Sequence, residues 1–181
     1  MPGLTGAARE AKMESMELIL LRHGKTPSTE ECGVRSDFDR SLGEQGKEQA
    51  KRAGKALVEM GLVPSRVLAS PVTRARQTAE RAVKGLGKDV PLEIKSWLEA
   101  GAEPEEILKN LAAYKDETPL LLVGHQPDLG NLAGLLVSGP QSSGIDLKPG
   151  GMLLLEIDDL AARGTAALRW LLLPSQIENL G

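Results

Sequence analysis

Short apolar runs alternate along this chain with stretches in which apolar residues recur at helical spacing. Residues 17–21 form an apolar run leading into Arg22-His23-Gly24, a buried strand followed by a turn. From Ser41, a suitable N-cap, the residues Ala50, Ala53, Leu57 and Met60 keep a helical period, and Gly61 can end that helix. Arg66–Ala69 is a second short strand. Ser70-Pro71 then offers a cap and a first-turn proline to a helix carrying Val72, Ala75, Ala79, Ala82 and Val83 on one side, which ends by Gly85 or Gly87.

The alternation continues to the end of the chain. A brief strand at 91–94 precedes an irregular stretch at 97–102, and a helix is expected over 104–114, with acidic residues in its first turn as its dipole prefers. Residues 119–123 form another buried strand, with Gly124-His125 directly after it and Pro127 opening a helix to about Val137. Residues 151–157 and 166–173 read as two strands joined by a polar turn near Arg163-Gly164. Strands alternating with helices predict an α/β fold with a mostly parallel sheet, and the closing hairpin adds an antiparallel strand.

Composition narrows the function without naming it. Aromatic residues make up 2% of the 181, so the core must be built from Leu, Val, Ile and Ala. A formal net charge of −3 argues against a general nucleic-acid or anionic-membrane binder. No apolar stretch approaches the roughly 20 residues of a membrane span. Residues 1–15 lack a secretory h-region and read as a disordered leader before a single domain over 16–181. The one cysteine, Cys32, excludes an intrachain disulfide, fits a reducing, cytoplasmic setting, and is expected to be a solvated thiol.

The chemistry lies in what the strands carry. The chain has two histidines, His23 and His125, each just after an apolar strand, and Arg74 lies in the first turn after a third. Open α/β sheets bind ligands beyond the carboxyl ends of their strands, so three strands bring His, His and Arg to one rim. Arg22, Arg74 and Arg40 offer planar forks that match phosphate oxygens. A neutral imidazole beside them is a competent nucleophile toward phosphorus, and nearby cations hold it unprotonated. Metal is the weaker alternative, because ligands rarely sit among several arginines; no metal and no cofactor are expected. Arg76, two positions from Arg74, should point elsewhere on the helix. Lys25 is expected at the surface, Gly24 and Gly124 in tight turns, and Trp97 and Trp170 in the core or a pocket wall.

Three motifs then carry a resemblance. Leu-Ile-Leu-Leu-Arg-His-Gly-Lys-Thr at 18–26 looks like the strand-plus-Arg-His-Gly signature of the histidine phosphatase (phosphoglycerate mutase-like) superfamily. Ser-Pro-Val-Thr-Arg-Ala-Arg-Gln-Thr-Ala at 70–79 is similar to that superfamily's second motif, and Leu-Leu-Val-Gly-His-Gln-Pro at 121–127 resembles its third. The short length, Asp39-Arg40-Ser41-Leu42 with Gly46, and Pro149-Gly150-Gly151 look like its SixA-type phosphohistidine phosphatase branch.

The resemblance implies a three-layer α/β/α sandwich, phosphoglycerate mutase-like, with a mostly parallel mixed sheet. It implies His23 as nucleophile, Arg22, Arg74 and Arg40 as phosphate-binding residues, and His125 as the second active-site histidine. Thr29 stands where mutases of the superfamily usually carry Asn, and the segment between Arg74 and His125 is short for an acid-bearing insert. Glu99 is the carboxylate nominated as general acid. A weak acid suits an N–P bond, whose nitrogen can be protonated before cleavage. The expected activity is metal-independent hydrolysis of a protein phosphohistidine, with a phosphotransfer domain as the candidate partner. The alternatives are a phosphatase for a small phosphate ester and a non-catalytic phospho-binding module.

Overall fold

The computed structural model describes residues 15–180. The leader expected at 1–15 lies, up to residue 14, outside the described residues. Six strands form one sheet: β1 (Met16–Arg22), β2 (Arg66–Ala69), β3 (Leu92–Ile94), β4 (Leu120–Gly124), β5 (Met152–Ile157) and β6 (Ala167–Leu172), in the order β3-β2-β4-β1-β5-β6. β1, β2, β3 and β4 pair parallel, whereas β5 pairs antiparallel with both β1 and β6. The closing hairpin thus contributes one reversed strand to a mostly parallel mixed sheet.

Period-two alternation along β1 feeds two cores. Leu18 and Leu20 join Leu120, Leu122, Ile107, Leu111, Leu129 and Leu132, which brings α3 (Pro104–Leu111) and α4 (Asp128–Ser138) onto one face. Ile19 and Leu21 join Val67, Leu121, Val123, Ala53, Leu57, Ala75 and Ala79, which brings α1 (Glu44–Glu59) and α2 (Thr73–Leu86) onto the other. The result is an α/β/α arrangement. Trp97 packs against the first core and Trp170 against the second. The helix that follows β1 and the helix that follows β4 leave from neighbouring parallel strands to opposite faces. That divergence opens a crevice beyond the strand ends.

Several local expectations change. α1 starts at Glu44 with Gly43 as its cap, not at Ser41, because Gly43 N–H donates to Lys25 O (3.1 Å) and Leu42 N–H to Gln77 Oε1 (2.8 Å), which hold residues 41–43 extended. Its end is as expected: Gly61 adopts φ +71° while Gly61 and Leu62 N–H donate to Val58 and Leu57 carbonyls. α3 stops at Leu111 and a 3-10 turn covers Ala112–Tyr114. A short helix, α5 (Pro174–Ile177), follows β6 and was not anticipated. Neither Gly24 nor Gly124 has positive φ, and Gly124 is the last residue of β4. Gly24 is required by close approach, because a Cβ there would lie 2.5 Å from Gly46 O. Cys32, expected in solvent, is half-buried with Sγ 4.0 Å from Ser41 O.

Candidate active site

The turn after β1 is fixed by its neighbours before any side chain is considered. His23 N–H donates to Gly124 O (3.0 Å), and His23 O accepts from Gly150 N–H (3.0 Å). Gly24 N–H donates to Thr78 Oγ1 on α2 (3.1 Å), and Lys25 N–H to the buried Gln49 Oε1 on α1 (3.0 Å). Both helices therefore hold the backbone that carries His23.

His23 is 8% exposed, with Nδ1 2.9 Å from Gly24 O and Nε2 3.2 Å from Arg74 Nε. A carbonyl only accepts and a guanidinium only donates, so Nδ1 carries the hydrogen and Nε2 the lone pair. Burial, with Arg74, Arg22 and Arg40 adding to it against the Gly24 hydrogen bond, pushes the His23 pKa down to about 4. The His125 ring lies 5.4 Å away, centroid to centroid, with Nε2 2.8 Å from Ser70 Oγ. Burial first, then His23 and Arg74, pushes its pKa down to about 3. Both rings are neutral at physiological pH.

All five residues expected from the sequence meet in one pocket of about 340 Å³, lined by Arg22, His23, Arg40, Arg74 and His125 together with Lys25, Thr26, Ala100, Gln126 and Pro149. Arg22 Nη1 donates to Leu147 O (2.6 Å) on the loop between α4 and β5. Burial lowers the pKa of Arg22 and of Arg74, yet a guanidinium starts so high that both stay charged. Among the described residues, Arg22 Nε, Arg40 Nε, His125 Nδ1 and Gln126 Oε1 are buried without a protein partner. Unpartnered buried polar atoms are costly, and a group of them beside one pocket is the signature of a ligand that satisfies them.

Two expectations fail here. Ser70 does not cap α2, whose N-cap is Val72 without a side-chain bond; Ser70 Oγ turns instead to His125 and accepts from Val72 N–H (3.2 Å). Glu99 is exposed and does not line the pocket, because the 3-10 turn at Ser96–Leu98 leaves Ala100 there in its place. Arg76 points away, as expected, toward Glu80. Lys25, though exposed, also lines the pocket.

Asp37 was missed. On a 3-10 turn at Asp37–Asp39, it bridges Arg40 Nη2 (2.9 Å) and Arg74 Nη2 (3.0 Å), and its carbonyl accepts from Arg74 Nη1 (2.7 Å). Asp128 was missed as well; from the first turn of α4 its Oδ2 accepts from Gly101 N–H (2.9 Å) and ties down the loop bearing Ala100. The only signal for Asp37 in sequence was its place three residues before Arg40.

Chemically, the pocket offers a neutral imidazole lone pair amid three guanidinium groups and a second imidazole. That set suits a tetrahedral oxyanion and attack on its central atom. Among the described residues no group of three His, Cys, Asp or Glu side chains could hold a metal ion, and no helix is long and apolar enough to cross a membrane.

Comparison with known proteins agrees with this chemistry. The family model of the histidine phosphatase superfamily (branch 1) matches residues 18–100. An uncharacterized protein of Picosynechococcus sp. is 32% identical over 145 residues, which cover 76% of this chain and 83% of that protein. The 2,3-bisphosphoglycerate-dependent phosphoglycerate mutase of Leifsonia xyli subsp. xyli is 41% identical over 83 residues, covering 46% of this chain and 33% of the mutase. Among solved structures, the protein histidine phosphatase SixA complexed with tungstate superposes with a TM-score of 0.77 at 23% identity, over 92% of this chain and all of the other. The chain belongs to the histidine phosphatase superfamily.

Proposed function

We propose that this chain hydrolyses phosphohistidine on a protein, without metal, through a phospho-His23 intermediate. The observation that carries the substrate class is a pocket equipped for a phosphoryl group whose lining, among the described residues, holds no carboxylate; Asp37 beside it is committed as an acceptor to Arg40 and Arg74. An alkoxide leaving group needs a strong acid beside it, whereas a phosphoramidate nitrogen leaves as neutral imidazole once its ring is protonated. The SixA likeness in fold supports the same substrate.

In the proposed reaction the phosphoryl oxygens lie on Arg22, Arg40, Arg74 and His125. His23 Nε2 attacks phosphorus as the substrate P–N bond breaks, and the protonated substrate imidazole departs neutral. Water then attacks phosphorus on phospho-His23, releasing inorganic phosphate and restoring the ring. His23 needs no base to remove a proton, because it is held neutral with Nε2 unprotonated; Arg74 Nε–H, which donates to that lone pair at 3.2 Å, must turn to a phosphoryl oxygen as substrate enters. Residues 16–181 act as one domain, and a phosphotransfer domain in the cytoplasm is the proposed partner.

The match to a phosphoglycerate mutase favours a second reading, a small phosphate ester in the same pocket. Phosphate release from a phosphohistidine protein and from p-nitrophenyl phosphate, without added metal, separates the two. Wild type should prefer the phosphohistidine protein, and His23→Ala should lose roughly a thousandfold or more on both. Preference for the ester would move the substrate to small metabolites, and no turnover of either would leave a binding module. Undiminished turnover by His23→Ala would sink the mechanism.

A further inference from the structure

We propose that Ser70 sets the tautomer of His125 and so makes the two histidines opposites: His23 faces the phosphoryl group as an acceptor, His125 as a donor. A neutral imidazole has one N–H and one lone pair, and the partner of one nitrogen decides what the other offers. For His23 the partner is Gly24 O, which can only accept, so its Nε2 is bare. For His125 the partner is a hydroxyl, which could donate or accept, and the choice must be argued from the remaining bonds.

Ser70 is fully buried, and its Oγ already accepts from Val72 N–H at 3.2 Å. Its hydroxyl hydrogen therefore needs an acceptor. Among the described residues the other partner of Ser70 Oγ is His125 Nε2 at 2.8 Å. If Nε2 carried a hydrogen, Ser70 Oγ would accept twice and bury its own hydrogen unpaired, at the cost of an unmade bond. With the hydroxyl donating to Nε2, every atom of that trio is satisfied and the imidazole hydrogen sits on Nδ1. His125 Nδ1 is a buried atom without a protein partner among the described residues, on a residue that lines the pocket. A phosphoryl oxygen would complete it.

Both rings thus hold the same tautomer but present opposite nitrogens. Ser70 is a positioning residue acting through His125, and its kinetic consequence rests on the phosphatase mechanism above.

The chain's two histidines make the test direct. With 15N-histidine label, two-bond 1H–15N correlation at neutral pH distinguishes a protonated from a bare ring nitrogen in each residue. Both rings should be Nδ1–H in wild type. In Ser70→Ala, His125 should shift toward the Nε2–H form while His23 stays unchanged, and inorganic phosphate should bind about tenfold more weakly. Ser70→Thr, which keeps a hydroxyl, should return the wild-type pattern. An Nε2–H form of His125 in wild type, or an unchanged His125 pattern in Ser70→Ala, overturns the proposal. The spectra need no turnover, so an inactive protein with the expected tautomers would count against the phosphatase mechanism alone.

Discussion

The two faces of the sheet hold their helices in different ways. On the α1–α2 face the buried helix residues are largely small: Ala53, Ala56, Ala75, Ala79 and Ala82. The two helices meet backbone to backbone, since a Cβ on Gly54 would lie 2.0 Å from Ala82 O and one on Gly85 would lie 2.1 Å from Lys51 O. On the α3–α4 face the residues are large, Ile107, Leu111, Leu129, Leu132 and Leu136. There the close approach is made by a loop: a Cβ on Gly134 would lie 2.3 Å from Ser142 Oγ and 2.7 Å from Gly144 Cα. The first face supplies rigid elements that fix His23 and Arg74. The second supplies a loop whose Leu147 carbonyl holds Arg22. One half of the pocket is anchored by helix packing and the other by a loop.

The largest effect should come from acid, because the pocket between the two faces keeps both rings neutral. An unfolded histidine protonates near 6.5, while His23 does so at about 4 and His125 at about 3. Between those values the unfolded chain takes up protons that the native state refuses, so stability is intact above pH 7 and falls as pH falls. His23 alone should remove about 3 kcal/mol by pH 4. Urea unfolding at pH 7 and pH 4.5 would measure the loss. The His23→Gln/His125→Gln protein should lose less than wild type over the same interval, and an equal loss would clear the rings of responsibility.

The same substitution on each face then tests the difference itself. Gly54→Ala drives a methyl group into helix backbone and should cost about 2 kcal/mol, overpacking being offset in part by the better helix former. Gly134→Ala presses on Ser142 Oγ and the Gly144 backbone of a loop rather than on helix backbone, so stability should fall by less, about 1 kcal/mol. Its price should appear in activity, roughly tenfold, as the displaced loop weakens the Leu147–Arg22 bond. Thermal unfolding beside phosphate release reads both, and equal stability losses would erase the distinction between the faces.

How much of this could be read from sequence depends on whether the cause was local. Arg66–Ala69 was read with both its ends, because four residues with a buried apolar core are self-evident as a strand. Gly61 ended its helix as expected, and of the two candidates Gly85 and Gly87 it is Gly87 that ends α2, since a left-handed residue is a local requirement. Part of the site followed from position along the chain, since His23, His125 and Arg74 each stand just past a strand end, whereas Arg40 rested on the family resemblance. What stayed hidden was set by distant partners. Ser70 looks like a helix cap until His125, 55 residues on, claims its hydroxyl. Asp37 is an unremarkable loop carboxylate until the fold brings Arg74 against it. α1 begins late because Lys25 holds Gly43, a contact that leaves no mark in the periodicity.

Glu99 should give the smallest effect, and its smallness is informative. Proximity in sequence to a pocket element made it the nominated acid, but the chain turns at Ser96–Leu98 and leaves its side chain exposed while Ala100 lines the pocket. The loop is held from the α4 side by Asp128, through Gly101 N–H rather than through Glu99. Glu99→Gln should therefore change stability by less than about 0.5 kcal/mol, as surface substitutions do. Turnover of either substrate should stay within about twofold, since an acid outside hydrogen-bond reach transfers no proton. A loss of tenfold or more confined to p-nitrophenyl phosphate would mean that this loop closes over the pocket during turnover. The α3–α4 face would then supply an acid for ester substrates, and the preference for an N–P bond would lose its structural basis.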